Sequence, residues 1–525
     1  MADRKRAQGR AADPRAPFAL DEPRAWWESP AVVAALIIAA MVPLLYPKIP
    51  PLVDLFGHMG RYRVAIDLAH SEWLPRYYDY HWAAIGNLGV DLLVVPLSKL
   101  IGLEPAVKLV VLTIPPLTVA GFLWVADEVH GRIPPTAFFA LPFVYGHPFL
   151  FGFVNFALSM ALAFLAFGLW LHLGRIGRTK LRAILFVPIS LIVFFCHTFG
   201  WGALGLLCFS AEAVRQHDRG IGWFQAGCRA ALHASVMALP IVIMLAWRSE
   251  AHGGSTADWF NWKTKGTWLQ TALRDRWKWY DLASVGVAFV VLIETLRNPR
   301  LTFSRNLAFS GAVLVAGFIL LPRIIFGSAY ADMRLVPYMI AVLLLAIRFR
   351  GRTSRKLGSA LAVLGLLFCV IRFGGTTWTL AKAADDQEAK LVALDHIPTG
   401  ARVVTLVGFY CRSSWVLPRN SHLGAMVMVR REGFSNDQWV LEGLNLLELK
   451  YSKPGYFASD PSELVRENYC NDRGHLRIDQ ALARLPREDF DYVWLVDPPE
   501  FDHRLVAGLH EVWRGGGSIL YRTQP

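Results

Sequence analysis

What most limits this chain is a succession of apolar runs separated by short clusters of Lys and Arg. After 31–46 the runs recur at 107–126, 136–150, 153–173, 183–197, 199–214, 230–247, 282–296, 307–321, 335–347 and 357–371. A chain so built has no use for one soluble core, and it reads as a polytopic α-helical membrane protein. Composition agrees where it matters: 54% of residues are hydrophobic and only 18% charged, too few charges to cover a soluble surface of this size. The net charge of +13 does not point to nucleic acid. The cations sit between the runs, where they set orientation in a membrane.

Those clusters fix a topology. Arg175, Arg178, Lys180 and Arg182 form one, Arg215, Arg219 and Arg229 a second, Arg297, Arg300 and Arg305 a third, and Arg348 to Lys356 a fourth. All four belong in the cytoplasm. Both Lys48 and the segment before 107 then lie outside, which holds only if 90–103 does not cross. That run is short, carries Asp91, Pro96 and Lys99, and reads as an amphipathic helix on the outer face. The result is about eleven spans with the N-terminus inside and the C-terminus outside. Residues 1–30, rich in Arg, Ala and Pro, read as a disordered cytoplasmic tail. Residues 31–373 form the transmembrane domain, with a long first outer loop at 48–105. Residues 374–525 form a small soluble outer α/β domain. Its apolar runs 403–409, 492–496 and 519–521 read as strands, and 462–469 and 478–485 as helices. Cys411 and Cys470 fall in this domain; the sequence leaves open whether they pair.

Chemistry gathers on the outer side. If the chain is helical from Asp54, then Asp54, His58 and Arg61 stand at i, i+4 and i+7 and share a face. Leu55, Met59, Tyr62 and Ile66 line the neighbouring face, suited to a bilayer or a protein core. A carboxylate, an imidazole and a guanidinium on one turn could supply a base, a proton partner and a phosphate binder; the plain alternative is a solvated polar face. His147 and Asn155 flank the turn 146–152, His197 lies in the turn 197–200, and Asp332 and Arg334 close the loop 322–334. Polar groups at membrane depth are costly and mark sites more often than polar groups elsewhere. Singly, the histidines could bond a carbonyl at a helix end, and Asp332 and Arg334 could form a structural ion pair. Together they predict an outward-facing polar cavity. Two aromatic stretches, Tyr77 to Trp82 and Trp259 to Lys263, rim the same side and suit either an interfacial belt or sugar stacking.

A long first outer loop with an acidic residue soon after the first span, two surface helices in that loop and a soluble C-terminal domain together resemble the GT-C class of integral-membrane glycosyltransferases. Asp54-Leu55-Phe56-Gly57-His58-Met59-Gly60-Arg61 is similar to an Asp-Leu-x-x-His-x-x-Arg pattern in bacterial proteins of this type. The segments 152–156, 197–200 and 332–334 look like further landmarks. The resemblance implies a bacterial inner-membrane enzyme that moves a sugar from a polyprenyl-phosphate donor to a glycan, lipid or protein acceptor, with no nucleic-acid partner. It assigns the catalytic carboxylate to Asp54 with His58 beside it, and substrate contacts to Arg61, His147, Asn155, His197, Asp332 and Arg334. Better-known members carry paired neighbouring acids where this chain has His58, so a divalent ion (Mg or Mn), with Asp54 as its ligand, stays open. Two other readings stay open as well: a transporter or flippase of a lipid-linked glycan, and a non-catalytic cell-envelope assembly protein.

Overall fold

The computed structural model describes residues 24–250, 255–325, 327–351, 355–411, 415–440, 445–470 and 474–524. Apart from short breaks, each apolar run between 31 and 371 is helical, because a backbone surrounded by apolar side chains must satisfy its own hydrogen bonds. Among the described residues five helices are long and apolar enough to cross a membrane: Leu103–His130, Val154–Arg175, Thr179–Cys196, Lys278–Arg297 and Arg355–His396. A bent pair, Trp223–Met237 and Leu239–Ala246, makes a sixth if it is one span. The run 136–150 is a 3₁₀ helix, Pro135–Tyr145, followed by a single α-turn, His147–Leu150. Residues 30–45, 305–320 and 331–345 are shorter helices.

The ends of these helices sort by charge. Arg175 and His172 meet Glu128, Arg182 and Arg215 meet Glu212, and Arg305 meets Asp218. At the same end Leu301–Phe303 pairs with Ile347–Phe349, and His130 bonds the carbonyl of Leu345. The Lys/Arg clusters therefore share one end of the bundle, as their distribution predicts. Of the expected disordered tail, 1–23 lies outside the described residues. Residues 24–30 are held in place: Trp27 is buried and donates from Nε1 to Ile133 O, and Glu28 pairs with Arg132.

At the opposite end lie the first loop and the C-terminal domain. Helix Gly89–Ile101 has 13 residues, a rise of about 20 Å, short of a hydrocarbon core of about 30 Å. It exposes Leu92, Leu93, Leu100 and Ile101 and buries Asp91, the amphipathic pattern expected. The other loop helix, Leu55–Asp67, departs from expectation. It is no surface helix, because Leu55, Met59 and Tyr62 are buried and its other side packs on Ala425–Arg431 of the C-terminal domain. Gly60 permits that approach; a Cβ there would lie 2.9 Å from Met428 Sδ.

Helix Arg355–Leu391 runs unbroken from the bundle into the C-terminal region. There Arg402–Phe409 pairs in parallel with Tyr492–Val496 on one side, and with Phe434–Ser435 and Leu464–Arg466 on the other. Ser518–Arg522 and His510–Gly515 extend the sheet antiparallel. The expected strands and the helix at 478–485 are present, the latter as Ile478–Arg484. The expected helix at 462–469 is instead the strand Leu464–Arg466, whose ladder to 407–409 overrides local propensity. Cys411 and Cys470 form a disulfide. Tyr77 to Tyr80 of the first aromatic stretch form neither belt nor open platform, while Trp82 is exposed. Tyr78–Tyr80 is a strand paired with Leu447–Leu449, and the Tyr77 hydroxyl donates to Gly400 O.

Asp275 and Asp281 of the bundle anchor the domain, the first through an ion pair and the second through the Trp415 indole. Asp275 takes Arg419 at 2.5 Å, and Asp281 takes Arg372 at 2.8 Å and the indole N–H of Trp415 at 2.9 Å. All but Trp415 are buried, so each carboxylate and its guanidinium satisfy one another where water cannot.

Candidate active site

Where the first loop, the bundle and the C-terminal domain meet, they enclose a cavity of about 410 Å³, the size of a small-ligand site. Asp54 enters it as the residue before helix Leu55–Asp67. Its own N–H donates to Phe151 O at 2.9 Å. This contact needs glycine next door: Gly152 has φ +101°, and a Cβ there would lie 2.6 Å from Asp54 N. The helix then places His58 and Arg61 in the same cavity wall, so the predicted shared face exists.

The three residues differ in what they have left to give. Among the described residues the Asp54 carboxylate makes no hydrogen bond, although the residue is 9% exposed. Its nearest cation is His422 Nε2 at 4.0 Å. Burial pushes its pKa up to about 7, with Asp460 adding to the rise while His422 and Arg334 work against it. His58 packs its ring on Trp439, and burial, then the charge of Arg61, keeps it neutral. Arg61 is already matched, at 2.7 Å, by the buried Asp91, so it is not the free phosphate binder expected from its position. Asn155 explains that pairing. It accepts from Val90 N at 2.6 Å and donates to Asp91 Oδ2 at 3.0 Å, fixing the first turn of helix Gly89–Ile101.

The anion-seeking group is Arg334. Among the described residues it has no carboxylate within ion-pair distance; it reaches Ser328 Oγ and Ala329 O at 3.3 and 3.4 Å and lies over the ring of Phe153. His197 Nε2 stands 3.4 Å from its Nη1. Nδ1 of His197 accepts from Phe199 N at 3.1 Å, so in the neutral ring Nε2 carries the proton. Two donors then face one another with no acceptor between them, which is how a protein prepares a place for an anion.

Two expected contacts lie elsewhere. Asp332 does not pair with Arg334; it takes Lys265 at 3.1 Å and the Trp268 indole N–H at 3.1 Å. His147 is buried beside Phe151 and Trp268 and does not line the cavity. Its ring nitrogens have no hydrogen-bond partner among the described residues.

The C-terminal domain supplies what sequence reasoning missed: His422, Asp460 and Glu463 close the cavity opposite Asp54. His422 has φ +60°, a costly backbone for this residue. It is held there by donating its N–H to both Glu463 oxygens at 3.2 and 3.0 Å. Burial alone would depress the imidazole, but Glu463, Asp437 and Asp54 more than offset this and hold its pKa well above the usual range. Burial pushes Glu463 up to about 8 and also raises Asp460. Nothing local in the sequence marks these residues; the one signal is that 20 of the 41 Asp and Glu residues fall in 374–525.

Neither a protein-family profile nor a curated protein matches the chain. Among solved structures it is similar to ArnT from Cupriavidus metallidurans, in crystals bound to undecaprenyl phosphate and in the apo state. The identities are 11% and 12%, with a TM-score of 0.48 in each case. Each comparison covers 94% of this chain and 97% of the other.

Proposed function

We propose that this chain is a GT-C-type glycosyltransferase of a bacterial inner membrane, moving a sugar from a polyprenyl-phosphate donor to an acceptor hydroxyl outside the cytoplasm. The observation that carries the reading is the pairing of opposites across one cavity. A buried carboxylate without a hydrogen bond, Asp54, shares it with a buried guanidinium that has no carboxylate partner, Arg334. Each lacks what a glycosyl phosphate and an attacking hydroxyl would bring.

In this reaction the acceptor oxygen attacks the anomeric carbon and loses its proton to Asp54. The bond from that carbon to the phosphate oxygen breaks, and polyprenyl phosphate leaves onto Arg334 and the Nε2–H of His197. A base whose pKa lies near the working pH is best suited to the first task, and a guanidinium fork to the second. His58, neutral and against Trp439, shapes the wall beside Asp54. Orientation follows from the charges. The Lys/Arg end of the bundle is cytoplasmic, so the cavity and the C-terminal domain are periplasmic, where a disulfide such as Cys411–Cys470 persists.

The test is binding of polyprenyl phosphate to the full chain, followed by native mass spectrometry in detergent. Wild type should retain the lipid, and Arg334→Ala should lose at least about 10-fold in affinity, the loss of one charge-assisted contact. Equal retention by the folded variant contradicts the proposal.

A further inference from the structure

We infer that a groove at the Lys/Arg end of the bundle holds one phospholipid whose headgroup carries a phosphate and a primary amine, an ethanolamine lipid. The groove lies between helices Pro30–Ala39 and Leu103–His130. They run antiparallel, since Trp27 meets Ile133 O at one end and Lys108 meets Leu45 O at the other. The space between them is about 290 Å³. Its floor is apolar: Val33 and Ile37 stand four residues apart on the first helix, and Ala120, Leu123 and Trp124 share one face of the second. Arg24, Glu28, Asp127 and Arg132 close one end. An apolar trough with charges at its membrane-surface end has the form of an acyl chain and its headgroup.

The charges say which headgroup. Glu28 accepts from Arg132 with both oxygens, at 2.8 and 2.5 Å, so those two are spent on one another. Arg24 and Asp127 are not: among the described residues neither side chain makes a hydrogen bond or an ion pair. Glu128, next to Asp127, does not share the groove and is taken by His172 and Arg175. The indole N–H of Trp124, about one turn deeper than Asp127, is likewise without a partner among the described residues. An unpaired charge at the edge of a bilayer is costly, and here there is one of each sign. A phosphate answers Arg24, and an ammonium answers Asp127. The Trp124 N–H then meets the ester carbonyls, at the interfacial depth that indoles favour. Pockets for anionic headgroups carry a surplus of Lys and Arg, and such a lipid would leave Asp127 facing a like charge. A choline nitrogen has no N–H to donate. Only the primary amine of ethanolamine completes both groups, and the lipid then ties the first span to Leu103–His130.

The inference needs only that the chain spans a membrane and does not rest on the transfer reaction. The full chain is purified in detergent, washed free of lipid and titrated separately with dioleoyl lipids bearing ethanolamine, choline or glycerol headgroups. Retained lipid is read by native mass spectrometry. Wild type should hold one ethanolamine lipid per chain at least about 10-fold more tightly than either competitor, the worth of one charge-assisted hydrogen bond. Asp127→Asn should erase that preference. Arg24→Ala should weaken the ethanolamine and choline lipids alike, by about 10-fold. Both side chains are exposed, so both variants should fold, which equal melting temperatures in lipid-free detergent will show. Wild type that holds the three lipids equally, or prefers the glycerol headgroup, overturns the inference. So does a folded Asp127→Asn that keeps the preference for ethanolamine. Displacement of the lipid by soluble phosphoethanolamine at equal concentration overturns the lipid as the ligand.

Discussion

Asp54→Asn separates a base from a structural carboxylate, because catalysis and stability should move in opposite directions. The replacement keeps the volume but cannot accept a proton near neutral pH, so transfer should fall by about 10²–10⁴-fold. Stability should rise. Burial has moved the Asp54 pKa from 3.8 to about 7. Between those values the folded state holds a proton that the unfolded state has released, so the contribution of Asp54 to stability declines as pH rises and levels off above about 7. A shift of about three units corresponds to about 4 kcal/mol at most, at 1.36 kcal/mol per unit. Asn has no such penalty, and no existing hydrogen bond to Asp54 is lost. In chelator-treated protein the melting temperatures of variant and wild type should coincide near pH 4, and the variant should exceed wild type by a few degrees at pH 8. Wild-type transfer should climb with pH through about 7. A folded Asp54→Asn protein with full activity would refute the reasoning. So would a variant equally destabilised at every pH, since that is how a structural hydrogen bond behaves.

Other outcomes follow from the same geometry. Arg334→Lys keeps the charge but loses the fork, so donor affinity should drop while the protein stays folded; unchanged affinity removes Arg334 from the site. Alkaline phosphatase fused after Arg372 should be active and a fusion at Arg178 silent; the reverse overturns the orientation. Asp281→Asn leaves Arg372 and the Trp415 indole short of an anion at the docking interface. It should destabilise the protein by about 3–5 kcal/mol, the usual result of breaking a buried pair, read as a lower melting temperature and faster proteolysis of the C-terminal domain.

Much of the bundle is legible in the sequence because its rules are local. A run of apolar residues must be helical in a membrane whatever surrounds it, and Lys and Arg clusters mark an end by their own charge. The Asp54, His58 and Arg61 face is legible for the same reason, being set by 3.6-residue periodicity. What fails is partnership across the chain. Arg61 looks like a free cation until Asp91, 30 residues on, is seen against it. Asp332 looks paired with Arg334, its near neighbour in sequence, yet Lys265 reaches it from another segment. The tyrosines at 77–80 suggest a membrane belt, whereas their strand finds its partner at 447–449. The half of the site built from His422, Asp460 and Glu463 sits in turns with no periodicity, and only the fold brings it to Asp54.

The most direct test of the central claim is the carrier-lipid pool of a strain from which the gene is deleted. If the chain consumes a polyprenyl-phosphate sugar, lipid extracts examined by mass spectrometry should show that donor accumulating. Wild type should clear it, and a stably inserted Asp54→Asn should not. An unchanged lipid pool, or clearance by Asp54→Asn as complete as by wild type, would contradict the account.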